Sequence, residues 1–186
     1  VTKNSLYASV DSGKSWNPVH ELSKGRLFDI RFLNQEFGYC AGDSTFGYTT
    51  NGGATWKFNY LNIKGVSEAH FVTPTIGYLS AGEGLHKTTD GGENWVRQNN
   101  YDLRSVYFHD AESGWMGGQG NNNGIFQTTN GGLTLTERLK TTQRVLQIKF
   151  FDQQHGWANT LSDFFGTNDG GLTWTKLNEG TALVMD

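Results

Sequence analysis

An eight-residue pattern, Ser/Thr-x-Asp/Asn-x-Gly-x-x-Trp, occurs five times in this chain. The copies are SVDSGKSW from Ser9, TTNGGATW from Thr49, TTDGGENW from Thr88, TTNGGLTL from Thr128 and TNDGGLTW from Thr167. Successive copies stand 40, 39, 40 and 39 residues apart. A beat this regular means that one small unit is used five times. We call the pattern the box.

Other features keep the same period. Before each of the last four boxes an apolar alternating run ends in Phe: FDIRF, SEAHF, RSVYF and LQIKF, closing at Phe32, Phe71, Phe108 and Phe150. A Gly-aromatic pair follows each: Gly38-Tyr39, Gly77-Tyr78, Gly114-Trp115 and Gly156-Trp157. Period-two alternation between Gly, Asn and Asp clusters reads as strand. Each unit then holds four short strands, A to D. In the second unit they are expected near 28–33, 38–42, 46–50 and 54–59. No segment keeps a 3.6-residue apolar period over ten residues, which excludes a helical solenoid. Twenty-five glycines and two prolines suit a turn-rich chain. Four antiparallel strands per repeat of about 40 residues predict an all-β fold, a β-propeller with about five blades.

The repeat register also places the chain ends. Asp186 matches Phe28, and Val1 matches Ala41. The chain is therefore expected to hold four complete blades, the outer two strands of a fifth, and a stub of that blade's inner strand. It is either one domain over 1–186, closed as a five-bladed ring, or a five-repeat segment of a larger propeller. Open sheet edges invite aggregation, and this favours the ring.

The box chemistry is that of a turn. Asn-Gly, Asp-Gly and Gly-Gly accept positive φ at the tip of a hairpin. An Asp or Asn side chain accepts N–H groups from its own turn, and a Ser/Thr hydroxyl adds a further bond. The Trp opens strand D and covers a neighbouring strand. A metal reading would make Asp11, Asp90 and Asp169 ligands. Calcium needs six to eight oxygens, and two boxes carry only Asn51 or Asn130, so no metal or other cofactor is expected. Leu135 stands where the fourth box would have Trp, and that seam is expected to pack more loosely.

Segments of this kind are known as Asp-boxes, of the BNR type. The wider repeat, clearest in GYCAGDSTFGYTTNGGATW and HGWANTLSDFFGTNDGGLTW, resembles the photosystem II stability and assembly factor family over essentially the whole chain. That resemblance implies a non-enzymatic, extracytoplasmic propeller that binds a membrane-protein partner through an arginine-rich patch. Many bacterial surface and secreted proteins carry the same repeat. The family usually has seven blades, and only five boxes stand here.

A four-strand meander puts the boxes and the A–B turns at one end of each blade. The B–C loops and D–A connections lie at the other, where binding residues usually sit. With the D–A connections taken as 17–27, 57–65, 96–104, 136–144 and 175–181, they hold ten of the fifteen basic residues and four of the eighteen acids. Such a face steers acidic peptides, proteins or anionic headgroups. The candidate partner-binding residues are Arg26, Lys64, Arg97, Arg104, Arg138, Lys140 and Arg144. The longest B–C loop, QGNNNG from Gln119 to Gly124, is a further candidate for shaping specificity. Asp29, Arg31, Glu68, His70, Tyr107, Gln147 and Lys149, opposite in parity to the strand A Phe, are expected to line the central channel. The strand B aromatics are expected to lie between blades rather than to stack sugars.

Enzyme chemistry finds little support. Sialidases, which share the box, need three arginines, a Tyr–Glu pair and an Arg-Ile-Pro segment, and the only prolines follow Asn17 and Thr73. There is no phosphate-binding Gly-x-x-x-x-Gly-Lys-Ser/Thr loop, and HELSK from His20 lacks the second histidine of a zinc protease helix. The net charge of −3 argues against a general nucleic-acid binder. The single Cys40 excludes an internal disulfide. No apolar run approaches a membrane span, and no export leader is present in the chain. The expected role is a scaffold for a protein or acidic peptide, and the resemblance implies a segment of a membrane protein. The alternative is a secreted or surface glycan-binding module or a glycosidase-related propeller.

Overall fold

The computed structural model describes residues 5–22 and 25–177. Its strands pair in chain order. β1 (Ser5–Ala8) and β2 (Asn17–Glu21) form a hairpin. Four antiparallel four-stranded sheets follow. The first is β3 (Asp29–Phe32), β4 (Gly38–Gly42), β5 (Thr45–Thr49) and β6 (Lys57–Tyr60). The second is β7 (Glu68–Phe71), β8 (Gly77–Ala81), β9 (Gly84–Thr88) and β10 (Val96–Arg97). The third is β11 (Leu103–Phe108), β12 (Gly114–Gly118), β13 (Gly124–Thr128) and β14 (Thr136–Lys140). The fourth is β15 (Gln147–Phe150), β16 (Gly156–Asn159), β17 (Phe164–Thr167) and β18 (Thr175–Leu177). These are four complete propeller blades, preceded by the strand C and D pair of another. Among the described residues there is no α-helix, and so none long and apolar enough to cross a membrane. The expected inner-strand stub lies outside the described residues.

The expected strands sit where the alternation put them, except that strand D of the first full blade starts at Lys57 rather than near 54. The reason is the box itself. Asn51 Oδ1 accepts the Thr55 N–H at 2.9 Å, so the chain is still turning at Thr55. Every box shares two bonds: the Ser/Thr hydroxyl accepts the N–H four residues on, and the Asp or Asn Oδ1 accepts the N–H four residues after itself. In the third, Thr88 Oγ1 accepts Gly92 N–H at 3.0 Å, and Asp90 Oδ1 accepts Asn94 N–H at 2.9 Å. Asp90 Oδ2 takes the Asn94 side-chain amide at 2.8 Å, and Trp95 Nε1 donates to Gly92 O at 3.2 Å. Both carboxylate oxygens thus serve the turn. The first box glycine ties the turn to the A–B turn of its own blade, as Gly91 N to Thr75 O at 2.9 Å. The A–B turns carry a second repeated cap: Asn34, Thr73, Asp110 and Asp152, each two residues after the Phe, accept N–H groups ahead of them.

The Gly-aromatic pair is the seam device. A Cβ on Gly77 would stand 2.6 Å from the Phe71 ring of its own blade, and Gly38 and Gly114 meet Phe32 and Phe108 in the same way. The glycine makes room for the strand A Phe, and the aromatic beside it faces the next blade. Tyr39 meets Phe71 at 4.7 Å between centroids, Tyr78 stacks on Phe108 at 3.5 Å, and Trp115 meets Phe150 at 4.5 Å. The second box glycine also reaches across: a Cβ on Gly92 would come 2.1 Å from Phe46, and one on Gly132 would come 2.2 Å from Leu85. Three apolar clusters result, one per seam. Each buried Phe contributes about 2 kcal/mol through the water it leaves.

The seam that holds Leu135 does not pack loosely as expected. Tyr78, Leu79, Leu85, Leu103, Val106 and Met116 are all fully buried there or beside it. Leu85 stands where the preceding blade has Phe46, so both members of that contact are smaller, and Val72, Ile76 and Tyr101 pack on the cluster beside Leu135. The fourth box has no indole to donate to its glycine carbonyl; Asn99 Nδ2 donates to Gly132 O at 2.8 Å, as Asn59 Nδ2 does to Gly92 O at 3.1 Å in the third box.

Candidate partner-binding face

The end of the blades opposite the boxes is tied together by B–C loops bonded to D–A connections. Asp43 bridges Val66, Gly82 N–H donates to Gly65 O at 3.1 Å, and Gln119 N–H donates to Asp102 O at 3.0 Å. The long loop is ordered by the same logic. Gln119 Nε2 donates to Asp102 Oδ1 at 2.8 Å, Asp102 N–H to Asn122 Oδ1 at 3.2 Å, and Asn123 Nδ2 to Thr142 O at 3.2 Å. The asparagines pin a short 3₁₀ turn, Gly120–Asn122, against the neighbouring connections.

The inner strands converge on one carboxylate. Glu68 Oε1 takes the Arg31 guanidinium and, at 2.9 Å, Lys149 Nζ; its Oε2 takes Ser105 Oγ at 2.8 Å and Val106 N–H at 3.0 Å. Three blades beside its own thereby meet at Glu68. Burial alone would push this carboxyl up, but Lys149, Arg31 and the Val106 N–H hold it below the usual range. Asp29, paired with Arg31 at 3.0 Å, is raised because burial outweighs that cation. His70 lies tilted against Tyr107, 4.8 Å between centroids, and meets Phe108 O at 2.9 Å; burial and the nearby Arg31 and Lys149 push it down to about 4. The expected channel residues are thus brought together. Ser105 was not named among them, although it stands three residues before Phe108, as Glu68 does before Phe71, and so shares the channel parity.

Above this cluster a pocket of about 180 Å³ opens between Phe28, Asp29, Arg31, Ser67, Glu68, Arg104, Leu146 and Gln147. Arg104 stands at its rim and donates to Ser67 Oγ at 3.2 Å. The other basic residues are spread more widely than the loop picture implied. Arg97, Arg138 and Lys140 lie in the outermost strands β10 and β14. Arg138 donates to Gln127 at 2.8 Å, and Lys140 faces Glu137 at 3.7 Å. Arg26 pairs with Asp43 at 3.4 Å and Lys176 with Asp163 at 2.7 Å. These B–C acids share the face and offset part of its charge, which counting the D–A connections alone left out. Lys57 lies at the box end, bound to Glu93 of the next blade. Lys24 lies outside the described residues. Among the described residues Lys64, Arg97, Arg104 and Arg144 form no ion pair.

Tyr39, Tyr78 and Trp115 are buried between blades. Trp157 is half-buried and stacks on Phe164 of its own blade at 5.4 Å.

Comparison with solved structures supports the architecture. An ancestral GH74 enzyme superposes with a TM-score of 0.68 at 20% identity over 89% of this chain and 26% of that one. YCF48 from Cyanidioschyzon merolae gives 0.68 at 18% identity, over 97% of this chain and 68% of that one. YCF48 bound to D1 peptide gives 0.65 at 18% identity, over 85% and 56%. The chain thus spans between about a quarter and two thirds of these neighbours. No protein-family model matches it, and no curated protein does.

Proposed function

We propose that this chain is a non-enzymatic propeller scaffold that binds an acidic protein or peptide segment on the loop face. The observation that carries this reading is the set of cations without ion pairs on or beside that face. Asp43 and Asp163 are already engaged by Arg26 and Lys176, which leaves Lys64, Arg97, Arg104 and Arg144 to an incoming carboxylate. Arg104 is the anchor, because Phe28 and Leu146 beside it offer apolar contact at the pocket mouth. Its planar fork suits a carboxylate better than an ammonium would. Arg26, Arg138 and Lys140 surround it as weaker, partly engaged contributors. One structural neighbour carries a D1 peptide, and the family resemblance adds an extracytoplasmic site of action and a membrane-protein segment as partner.

The test is capture of an acidic peptide by the wild-type chain and by the triple variant Arg97→Glu, Arg104→Glu, Arg144→Glu. The variant should lose capture while its Tm stays within a few degrees of wild type, and wild-type capture should weaken steeply with added salt. Capture that persists in the variant refutes the basic-face reading. Likeness to a GH74 enzyme favours a second reading, glycan binding or hydrolysis. Retention on polysaccharide that survives high salt, or turnover of a chromogenic glycoside, would decide for it.

A further inference from the structure

At the box end, the seam between the third and fourth complete blades is built differently from the two seams before it. Between the second and third blades, Lys87 Nζ donates across the seam to Ala111 O at 3.1 Å and lies 3.7 Å from Glu112, and the Tyr78 hydroxyl donates to the same carbonyl. Between the first and second, the Tyr48 hydroxyl reaches Glu93, and Phe37 meets Phe71 at 5.3 Å between centroids. In the next seam these positions change together. Gln127 pairs with Trp115 as Lys87 pairs with Tyr78 and Tyr48 with Tyr39. Its Oε1 takes Arg138 of its own blade at 2.8 Å instead of crossing the seam. Ser113 stands where Ile76 and Phe37 stand, before the Gly-aromatic pair. Gln153 takes the place of Ala111, and among the described residues no side chain of the third blade bonds its carbonyl. An open pocket of about 370 Å³ results, with Trp115 and Gln127 on one blade and Gln153, Gln154 and Leu172 on the other. Both blades are complete and described.

The walls have a definite chemistry. Trp115 is 3% exposed, yet its Nε1 has no hydrogen-bond partner. Nε2 of His109, whose ring lies 4.9 Å from the Trp115 ring, has none either. Buried polar atoms of this kind are uncommon. Gln127 contributes an amide nitrogen, and Gln153 and Gln154 contribute whole amides, each a donor beside an acceptor. Asp110 and Asp169 also border the pocket, with no Lys or Arg, so it disfavours anions. Burial holds His109 below its ordinary value and keeps it neutral at pH 7. The two carboxylates already serve their own turns, and among the described residues no group of three His, Cys, Asp or Glu could hold a metal.

We propose that this pocket binds a neutral saccharide unit. Donor and acceptor side by side on a glutamine amide match the adjacent hydroxyls of a sugar. Leu172, 53% exposed, offers apolar contact to the C–H face of the ring. The volume falls in the range of small-ligand sites, roughly 300–1,000 Å³. The proposal deepens the second, glycan-binding reading and is independent of the basic loop face.

The experiment titrates the 186-residue chain at high salt with the methyl glycosides of glucose, galactose, mannose and N-acetylglucosamine. At least one should bind saturably at a single site and shift the side-chain amide signals of Gln153 and Gln154 and the indole N–H signal of Trp115 in proton–nitrogen spectra. Truncating the exposed pair, Gln153→Ala with Gln154→Ala, should weaken binding about tenfold and leave Tm within a few degrees of wild type. Gln127→Lys supplies the lysine of the preceding seam, which should reach Gln153 O, close the pocket and abolish binding. The triple arginine reversal should bind as wild type does. Absence of binding by all four glycosides overturns the proposal, and retention on polysaccharide in that case would put the glycan elsewhere on the molecule. Binding that is unchanged both in Gln127→Lys and in the double alanine variant also overturns it, while leaving the glycan-binding reading standing.

Discussion

At the residue scale the two glycines of a box do different work. Gly91 has φ +76° and a Cβ there would meet only Pro74 O at 3.1 Å; Gly92 has φ +93° and would drive a Cβ into Phe46. Gly91→Ala is expected to cost about 1 kcal/mol, for the left-handed backbone alone. Gly92→Ala adds a seam clash and should cost about 3 kcal/mol, read as the difference in Tm by calorimetry. The acid of the box is interchangeable with its amide. Asp90 is held at about 2 by the Asn94 N–H, the Asn94 amide and the Thr88 hydroxyl. Its folded value lies below the unfolded one near 4, so its contribution is present above pH 4 and fades as pH falls toward 2. Asp90→Asn should keep the neutral-pH Tm, as Asn51 and Asn130 do in their boxes. It should also lower the acid-unfolding midpoint in a pH titration followed by circular dichroism. Asp90→Ala should cost about 1 kcal/mol. These roles were legible from the repeat, because an amide in two copies already pointed to a turn.

At the element scale the inner strands are held by a buried charge cluster as well as by seams. Glu68 joins β7 to β3, β11 and β15 through Arg31, Ser105, Val106 and Lys149. Glu68→Gln removes the charge, leaving Lys149 without its counter-ion and Arg31 with Asp29 alone. A loss of about 3 kcal/mol is expected, or roughly 6–12 °C in Tm for a chain of this size. The depressed carboxyl stabilises the fold above its unfolded value and loses that effect as pH falls below it. The variant's Tm should therefore vary less than wild type's between pH 5 and pH 3. Strand parity alone pointed to Asp29, Arg31, Glu68 and Lys149 as channel residues. The same parity holds Ser105, three residues before Phe108, but its bond to Glu68 Oε2 is set by how two blades meet and not by local sequence. The close packing around Leu135 was also hidden, because the cluster beside it draws on Val72, Ile76 and Leu85 of a different blade. Packing across a seam is a property of two repeats, and a repeat read one copy at a time does not display it.

At the scale of the whole molecule the blade count and the strand order followed from periodicity, whereas the charge on the loop face did not. Counting D–A connections missed Asp43 and Asp163, which the meander brings to the same end from the B–C loops. The remaining unpaired cations make a sharper prediction than the total charge. Reversing Arg104 alone should weaken capture of an acidic peptide more than reversing Lys140, because Lys140 already faces Glu137. A peptide-binding isotherm at two salt concentrations checks both the order and the electrostatic origin. The seams have a broader meaning. Each is built half from one repeat, which gives the strand B aromatic, and half from the next, which gives the Phe and the box glycine. Genetic duplication or deletion of a whole repeat therefore rejoins matching halves, so this lineage can lengthen or shorten its array without having to reinvent a contact.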